Sequence, residues 1–290
     1  MELLQLILDG LSLGAAYALV ALGFVLVLNA TGAVNFAAGD LVMAGGFVAV
    51  ALAQILPVPG LLLLPLVLLL MAALGLLFSL LAYFPLLGRP PTAVFISTIA
   101  CGVMLQNSAN AIFGAEPRKA PALLGEALYR LDGLTIGRQS LAIILVAAFL
   151  VAAQYLLFAR TQLGRSLRAT AQDRDIAEAL GVPTRRMIAL TFMLAAALAG
   201  AAGLLLANRY FVVPTEGGDL VVSAYIAVVI GGWGSLPGAV LGALLIALFQ
   251  VVVSAYASYT VAAALLYGVL LGVLFLRPKG LFGEAIGRRA

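Results

Sequence analysis

Two aspartates that follow glycines are the residues of this sequence best suited to polar chemistry in apolar surroundings. Asp40 lies in TGAVNFAAGDLVMAGG together with Asn35, and Asp219 lies in VVPTEGGDLVVSAY after Gly218. A charge at the centre of a membrane span costs roughly 2.5–3.5 kcal/mol, so each aspartate must lie near an interface or be buried in protein. Both also fit the first turn of a helix, where a carboxylate accepts backbone N–H groups. This capping role is favoured over direct contact with a solute.

The two segments share a short core, GD followed by LV, at residues 39–42 and 218–221. Glycine-interrupted segments that recur in two halves of a membrane protein are typical of broken helices around a central pathway. Such a pathway would be lined by Asn35, Asp40, Gly218 and Asp219. The alternative is that both segments are ordinary helix starts capped by their aspartates.

Three amides, Gln106, Asn107 and Asn110, lie in LQNSAN within a third apolar stretch. Residues four apart share a helix face, so Gln106 and Asn110 are expected to point in one direction. Amides in hydrocarbon need hydrogen-bond partners, and a contact with a neighbouring helix is the favoured interpretation. Lining of a polar pathway is the alternative.

Several classes of chemistry are excluded by what the sequence lacks. It contains no histidine and a single cysteine, Cys101, so histidine catalysis, a disulfide and a cysteine metal cluster are not expected. The two lysines follow Arg118 and Pro278, which leaves no glycine-lysine pair for a phosphate-binding loop. We therefore predict a protein that is not an enzyme and holds no metal or cofactor. If ATP drives its activity, another subunit must bind the ATP.

The elements that carry these residues are predicted to be membrane-spanning helices. The composition is 64% hydrophobic and 10% charged, with a mean hydropathy of +1.17, far more apolar than a soluble domain. We predict an all-α integral membrane protein with a single domain over 1–290 and about eight or nine spans, some of them broken. The apolar stretches are 8–29, 39–56, 60–84, 92–113, 139–159, 187–207, 219–232, 236–256 and 259–276. Glu2 and Asp9 near the start argue against a cleaved signal peptide.

A charged segment at 160–186 interrupts the apolar pattern. It contains six of the sixteen basic residues, and Arg277, Lys279, Arg288 and Arg289 form a basic tail. Under the positive-inside rule both face the cytoplasm, which places Arg89 inside and the N-terminus and the loop 114–138 outside. Basic residues in connections between spans report orientation, so we expect no nucleic-acid partner.

The charged segment is itself predicted to be helical. Arg, Leu, Ala and Gln favour a helix, and Gly181 followed by Pro183 ends it. Such a helix outside the bilayer is suited to contact another protein, whereas a solvated loop that only fixes topology is the alternative. A second feature, GGWGSLPG at 231–238, predicts a tight turn between two spans, and the GxxxG spacings that begin there predict close helix packing.

Four stretches resemble the permease subunits of ABC importers for branched-chain amino acids, in the LivH-type branch. They are LSLGAAYALVALGFVLVLNATGAVNFAAGD, LGRSLRATAQDRDIAEALGVPTRRMIALTF, AVVIGGWGSLPGAVLGALL and RPKGLF, in the family's order and over nearly the whole chain. The resemblance implies that the segment 160–186 contains a coupling helix that docks on an ATP-binding subunit. The positions that match this motif are Arg168, Ala171, Asp173, Ala177, Leu180, Gly181 and Val182.

The same resemblance implies the partners and the location. We expect a second permease chain or a second copy of this one, two cytoplasmic ATP-binding subunits, which bind the ATP, and an extracytoplasmic solute-binding protein. The location is the bacterial inner membrane, with a cytoplasmic C-terminus.

One residue departs from the family pattern, and the family pattern leaves the substrate open. Ala38 replaces a histidine that is common in relatives, so any role of that histidine is absent here. The family also includes importers for urea, short amides and other small organic compounds, so the resemblance leaves the substrate open. A gradient-driven transporter or channel is the alternative function, although the sparse charges at membrane depth weigh against it.

Overall fold

The structure is a computed structural model, which describes residues 2–125, 128–131, 134–277 and 279–282. The helices in these parts are α1 (Glu2–Thr31), α2 (Ala38–Ile55), α3 (Gly60–Phe78), α4 (Pro91–Phe113), α5 (Arg138–Arg160), α6 (Gln162–Gln172), α7 (Arg174–Ala179), α8 (Thr184–Arg209), α9 (Gly217–Gly231), α10 (Leu236–Tyr256) and α11 (Tyr259–Leu276). A π-helical turn and a 3₁₀ turn extend α3 to Leu86. A small antiparallel hairpin, β1 (Leu128–Leu131) and β2 (Leu134–Gly137), precedes α5.

The predicted all-helical membrane fold is confirmed. Eight helices in the described residues are long and apolar enough to cross a membrane, and each of the nine predicted stretches forms one helix. The ninth, α9, has 15 residues, which gives about 22 Å of length against roughly 30 Å of hydrocarbon. The hairpin was not predicted, and it lies in the loop 114–138, of which residues 126–127 and 132–133 are outside the described residues.

Helix α1 is the central element of the bundle. In the most apolar 18 residues of α1, 89% of the residues are buried, whereas the corresponding share is 17% in α5 and 11% in α11 at the periphery. Helices α8 and α10 run antiparallel to α1. Gly23 packs on the backbone of Ala195 in α8, and Gly14 packs on Leu244 in α10, because a glycine lets two helix backbones approach closely.

The antiparallel packing defines two ends of the molecule. At the hairpin end, the guanidinium of Arg209 pairs with the carboxylate of Asp9 at 2.7 Å, and Arg118 forms a β-bridge with Val212. The opposite end, called the basic end because the charged segment 160–186 lies there, contains the end of α1 beside the start of α8. Here the Asn29 amide donates to the carbonyl of Gly234 at 2.9 Å.

The basic end also holds the charged segment and the C-terminal tail. The backbone N–H of Leu281 donates to the carbonyl of Ile230, and that of Phe282 donates to Gly231, both at 2.9 Å. The segment 160–186 and the described tail residues therefore lie at the same end, as the sequence predicts. Pro278, Arg288 and Arg289 lie outside the described residues.

The segment 231–238 forms the predicted tight turn. Gly232 and Gly234 have φ of 120° and 81°, values that a residue with a side chain rarely adopts. Beyond the turn, Gly238 packs on the carbonyl of Gly231, and Gly242 packs on that of Ala227. The glycine spacings thus let α9 and α10 lie in close contact.

Candidate functional site

Helices α2 and α9 begin against each other inside the bundle. Gly39 packs on the carbonyl oxygen of Gly217, and Gly217 packs on the carboxylate of Asp40. The chain reaches each start through a segment without helix, residues 32–37 and 210–216. The repeated core therefore marks the starts of two helices whose N-termini meet inside the bundle.

Asp40 is the polar centre of this junction. It is 6% exposed, and its Oδ1 accepts a hydrogen bond from Nε2 of Gln106 at 2.7 Å. Gly102, at the midpoint of α4, packs on its other carboxylate oxygen. Asp40 therefore lies at a depth halfway along a spanning helix, where an unpartnered charge is costly.

The prediction that the two aspartates accept capping hydrogen bonds from their own helices is wrong. Asp40 and Asp219 do lie in the first turns of α2 and α9, but neither helix has a side-chain capping hydrogen bond. Asp40 instead accepts from an amide of another helix, because α4 brings Gln106 directly over it. The favoured interpretation of Gln106 as an interhelical hydrogen-bond donor is confirmed.

Asn35 supports the segment that leads into α2. It is 3% exposed, and its Oδ1 accepts from the backbone N–H of Ala37 at 3.1 Å. The next residue, Phe36, donates its backbone N–H to Oγ1 of Thr98 in α4 at 3.2 Å. These two bonds satisfy backbone groups of a buried segment without secondary structure.

The other two amides of α4 do not join Asp40. Asn107 and Asn110 are exposed, and Nδ2 of Asn107 donates to the carbonyl of Val103 in its own helix. Gln106 is half-buried and Asn110, one turn further along, is exposed, because the buried face of α4 runs through Gly102 and Ala109.

Asp219 and Gly218 lie on the opposite side of the α9 start. Gly218 borders open space, and Asp219 lines a cavity of about 360 Å³. The polar residues of this cavity are Tyr17, Tyr210, Thr215, Glu216, Asp219, Gln250 and Tyr259. Leucines from α1, α8 and α9 complete its wall.

The cavity combines hydrogen-bonding groups from distant parts of the chain. The Tyr17 hydroxyl in α1 donates to Oε1 of Gln250 in α10 at 3.3 Å. Sequence reasoning did not single out Tyr17, Gln250 or Tyr259, although Gln250 is conspicuous in the apolar run LLIALFQVVV. Carboxylates beside leucines can hold a small solute that carries both an ammonium group and an aliphatic chain. Among the described residues, no group of three or more metal-ligating side chains is found.

The charged segment forms two short helices, α6 and α7, where one was predicted. Oγ1 of Thr161 accepts from the backbone N–H of Gly164 at 2.9 Å and caps α6. Oδ1 of Asp173 accepts from the N–H groups of Asp175 and Ile176, both at 3.0 Å, and caps α7. The motif residue Asp173 thus ends one helix and begins the next.

The motif residues of this segment differ in exposure. Ala177 is buried and packs α7 onto the bundle, Ala171, Asp173 and Val182 are half-buried, and Arg168 is exposed. Leu180 is 79% exposed, and Gly181 after it has a φ of 84° with open space around it.

An exposed apolar pair lies on α7. Ile176 is 60% exposed and is four residues before Leu180, so the two side chains share one face. Ile176 is not among the predicted coupling residues, although its spacing of four residues from Leu180 indicates that both lie on one helix face.

Several known proteins are similar to this chain over most of its length. The family described as branched-chain amino acid transport system, permease component, matches residues 6–276. The chain is 32% identical over 296 residues to the high-affinity branched-chain amino acid transport system permease protein BraD of Pseudomonas aeruginosa, covering 97% of this chain and 96% of BraD. It is also 32% identical over 297 residues to the corresponding permease protein LivH of Escherichia coli K12, with the same coverage.

A shorter match supports the same family. The permease protein LivM of Escherichia coli K12 is 32% identical over 124 residues, which is 42% of this chain and 29% of LivM. No solved structure matches. The family match over most of the length, together with the spanning helices, establishes that this multi-pass membrane chain belongs to the family of branched-chain amino acid transport permease components.

Proposed function

We propose that this chain is one of two permease subunits of an ATP-driven importer for branched-chain amino acids. The observation that carries the proposal is the match over 97% of the chain to BraD and LivH, whose names state this transport system. The second permease subunit is proposed to be a LivM-like chain, because the Escherichia coli protein LivM, also named as a permease of such a system, matches part of this sequence. The pair is then a heterodimer of related chains.

The proposed orientation places the basic end in the cytoplasm of a bacterial cell, at the inner membrane. The charged segment, Arg89 and the described basic tail residues all lie at that end, which is the arrangement that the positive-inside rule favours. The hairpin end then faces the solute-binding protein outside.

Coupling to ATP is proposed to run through α6 and α7. Two cytoplasmic ATP-binding subunits would dock on this segment and on its counterpart in the second permease chain. The exposed pair Ile176 and Leu180 supports this role, because apolar side chains exposed to solvent favour burial in an interface. Gly181 provides the reversal from α7 into α8.

The solute is proposed to pass beside the start of α9. The cavity with Asp219 and Glu216 supplies carboxylates for the ammonium group of an amino acid, and its leucines suit an aliphatic side chain. The Asp40–Gln106 junction supports the start of α9 from the other side. Asn35, Asn107 and Asn110 remain predicted pathway residues.

Reconstitution tests the proposal directly. The chain should be purified with its partner subunits, placed in liposomes with ATP inside or outside, and assayed for uptake of labelled leucine delivered by the solute-binding protein. We expect uptake that requires ATP and every subunit. Uptake by this chain alone along a gradient would instead establish a secondary transporter or channel.

A variant of α7 tests the coupling part. We expect Leu180→Asp to abolish leucine uptake and to weaken retention of the ATP-binding subunit, with normal abundance of the permease, because the side chain is largely exposed. Leu56→Asp, an exposed position after α2 that lies outside the charged segment, serves as the control. Full coupling in the Leu180 variant would contradict the assignment of α7.

A further inference from the structure

A long apolar groove opens on the outer surface of the bundle between α5 and α10. Its floor is α1, with Ala15 and Ala18, and its walls include Ala148 and Val151 of α5 and Val240 of α10. The groove has a volume of about 820 Å³, within the range of about 300–1,000 Å³ that is typical of ligand sites. No carboxylate belongs to the residues that line it. This site is distinct from the cavity at Asp219.

Two polar side chains of the groove have no hydrogen-bond partner among the described residues. Both polar atoms of the Gln154 side chain are buried, and neither has a hydrogen bond within the described residues. An amide in apolar surroundings without a hydrogen bond is costly. Arg168 of α6 lines the groove at the basic end and, in the part of the chain that the structure describes, forms no hydrogen bond or ion pair.

The polar groups are arranged along the groove as a membrane lipid would require. Arg168 belongs to α6, which packs through Gly164 on Leu157 and Phe158 in the last turns of α5. Gln154 is six residues before the end of α5 at Arg160, or about 9 Å along the helix. Alanine, valine and leucine side chains extend the groove from there towards the bilayer centre. The order is thus a cation, then an amide, then hydrocarbon.

We propose that this groove binds an anionic phospholipid. The phosphate of the headgroup contacts the guanidinium of Arg168, an oxygen near the glycerol accepts from Nε2 of Gln154, and an acyl chain fills the apolar part. Basic groups between transmembrane helices at the membrane surface favour anionic headgroups. In the proposed orientation the lipid belongs to the cytoplasmic leaflet and contacts the segment that docks the ATP-binding subunit.

A helix of the second permease chain is the competing occupant, and the polar groups of the groove argue against it. A phospholipid supplies an anion for Arg168 and ester oxygens that accept from Gln154, whereas the apolar face of a spanning helix supplies neither.

Photolabelling of the assembled complex tests the proposal. The probe is phosphatidylglycerol with a diazirine in one acyl chain, added to the complex in detergent, and the labelled peptides are identified by mass spectrometry. We expect labels on groove residues of α1, α5 and α10. The variant Ala148→Leu fills the groove and should reduce these labels to the level of other lipid-facing helices.

The matched control is Ala153→Leu, an exposed position of the same helix that does not line the groove, and it should retain wild-type labelling. For the headgroup, Arg168→Gln should reduce the preference for phosphatidylglycerol over a phosphatidylcholine probe by about fivefold.

Several results would overturn the proposal. These are equal labelling of all exposed helices, an unchanged pattern in the Ala148 variant, or a crosslink to the second permease chain from a photoreactive residue placed at Tyr155, which lines the groove. A loss of leucine uptake without a change in labelling would concern the proposed transport function and not this site.

Discussion

At the scale of single residues, the hydrogen bond between Gln106 and Asp40 connects α4 to the start of α2. We expect Gln106→Ala to lower the free energy of unfolding by about 1–3 kcal/mol, because a buried carboxylate loses its observed side-chain partner. The measurement is the midpoint of thermal unfolding of the purified protein in detergent.

Asn107→Ala provides the control for this prediction. Its amide is exposed and bonds only to its own helix in the described structure, so its unfolding midpoint should stay near the wild-type value. Equal loss of stability in the two variants would contradict a specific role of Gln106. A loss of uptake by Asn107→Ala at normal stability would support its predicted place in the pathway.

Asp219 gives a second prediction at this scale. If its carboxylate binds the ammonium group of the solute, Asp219→Asn should raise the KM of leucine uptake roughly tenfold or more, since a hydrogen bond to a charged group contributes about 1.5–3 kcal/mol. The side chain is exposed in the cavity and has no partner in the described residues, so folding should be little affected.

Asp219→Glu is the control for Asp219→Asn, because it keeps a carboxylate at the same exposed position of α9. Its KM should match that of the wild type. An unchanged KM in Asp219→Asn would remove this carboxylate from the proposed binding site.

At the scale of elements, α7 depends on one capping side chain. Asp173→Ala removes the acceptor for two backbone N–H groups, which costs about 0.5–2 kcal/mol of helix stability. A helix of six residues is too short to be stable by itself. We therefore expect this variant to hydrolyse ATP with reduced leucine uptake, measured as the ratio of transported solute to released phosphate.

The conservative variant Asp173→Asn separates the cap from the charge. Asparagine also provides a side-chain oxygen for the N-terminal N–H groups, so coupling should be retained. If both variants lose coupling equally, the carboxylate charge matters and not the cap.

At the scale of the whole molecule, the exposure of the two ends of the bundle on opposite sides of the membrane tests the proposed orientation. Cys101→Ser gives a background without cysteine, into which Arg89→Cys and Glu116→Cys are introduced separately; both positions are exposed at opposite ends. In intact spheroplasts a membrane-impermeant maleimide should label the Glu116 variant only. In inside-out vesicles it should label the Arg89 variant only, and the reverse pattern would invert the proposed orientation.

The sequence allowed the elements to be predicted well because a spanning helix is a local property. Each apolar stretch formed one helix, the glycine-rich segment 231–238 formed a turn, and Gly181 with Pro183 separated α7 from α8. Length, hydropathy and backbone preference are set by neighbouring residues. The hairpin was missed, because its short strands carry a weak local signal.

The candidate site was less predictable because its contacts join distant segments. The pairing of Asp40 with Gln106 spans 66 residues, and that of Tyr17 with Gln250 spans 233. Periodicity placed Gln106 and Asn110 on one face of α4, but packing buries Gln106 in part and leaves Asn110 exposed.

The membrane class, the helices, the shared segments around Asp40 and Asp219 and the family resemblance could all be predicted from the amino-acid sequence, because composition and local motifs record these properties directly. The different surroundings of the two aspartates depend on the fold: Asp40 is enclosed by glycines and an amide, and Asp219 opens into a cavity. Identical local motifs fix the same position in a helix, whereas a side chain's partners depend on which other helices pack against it.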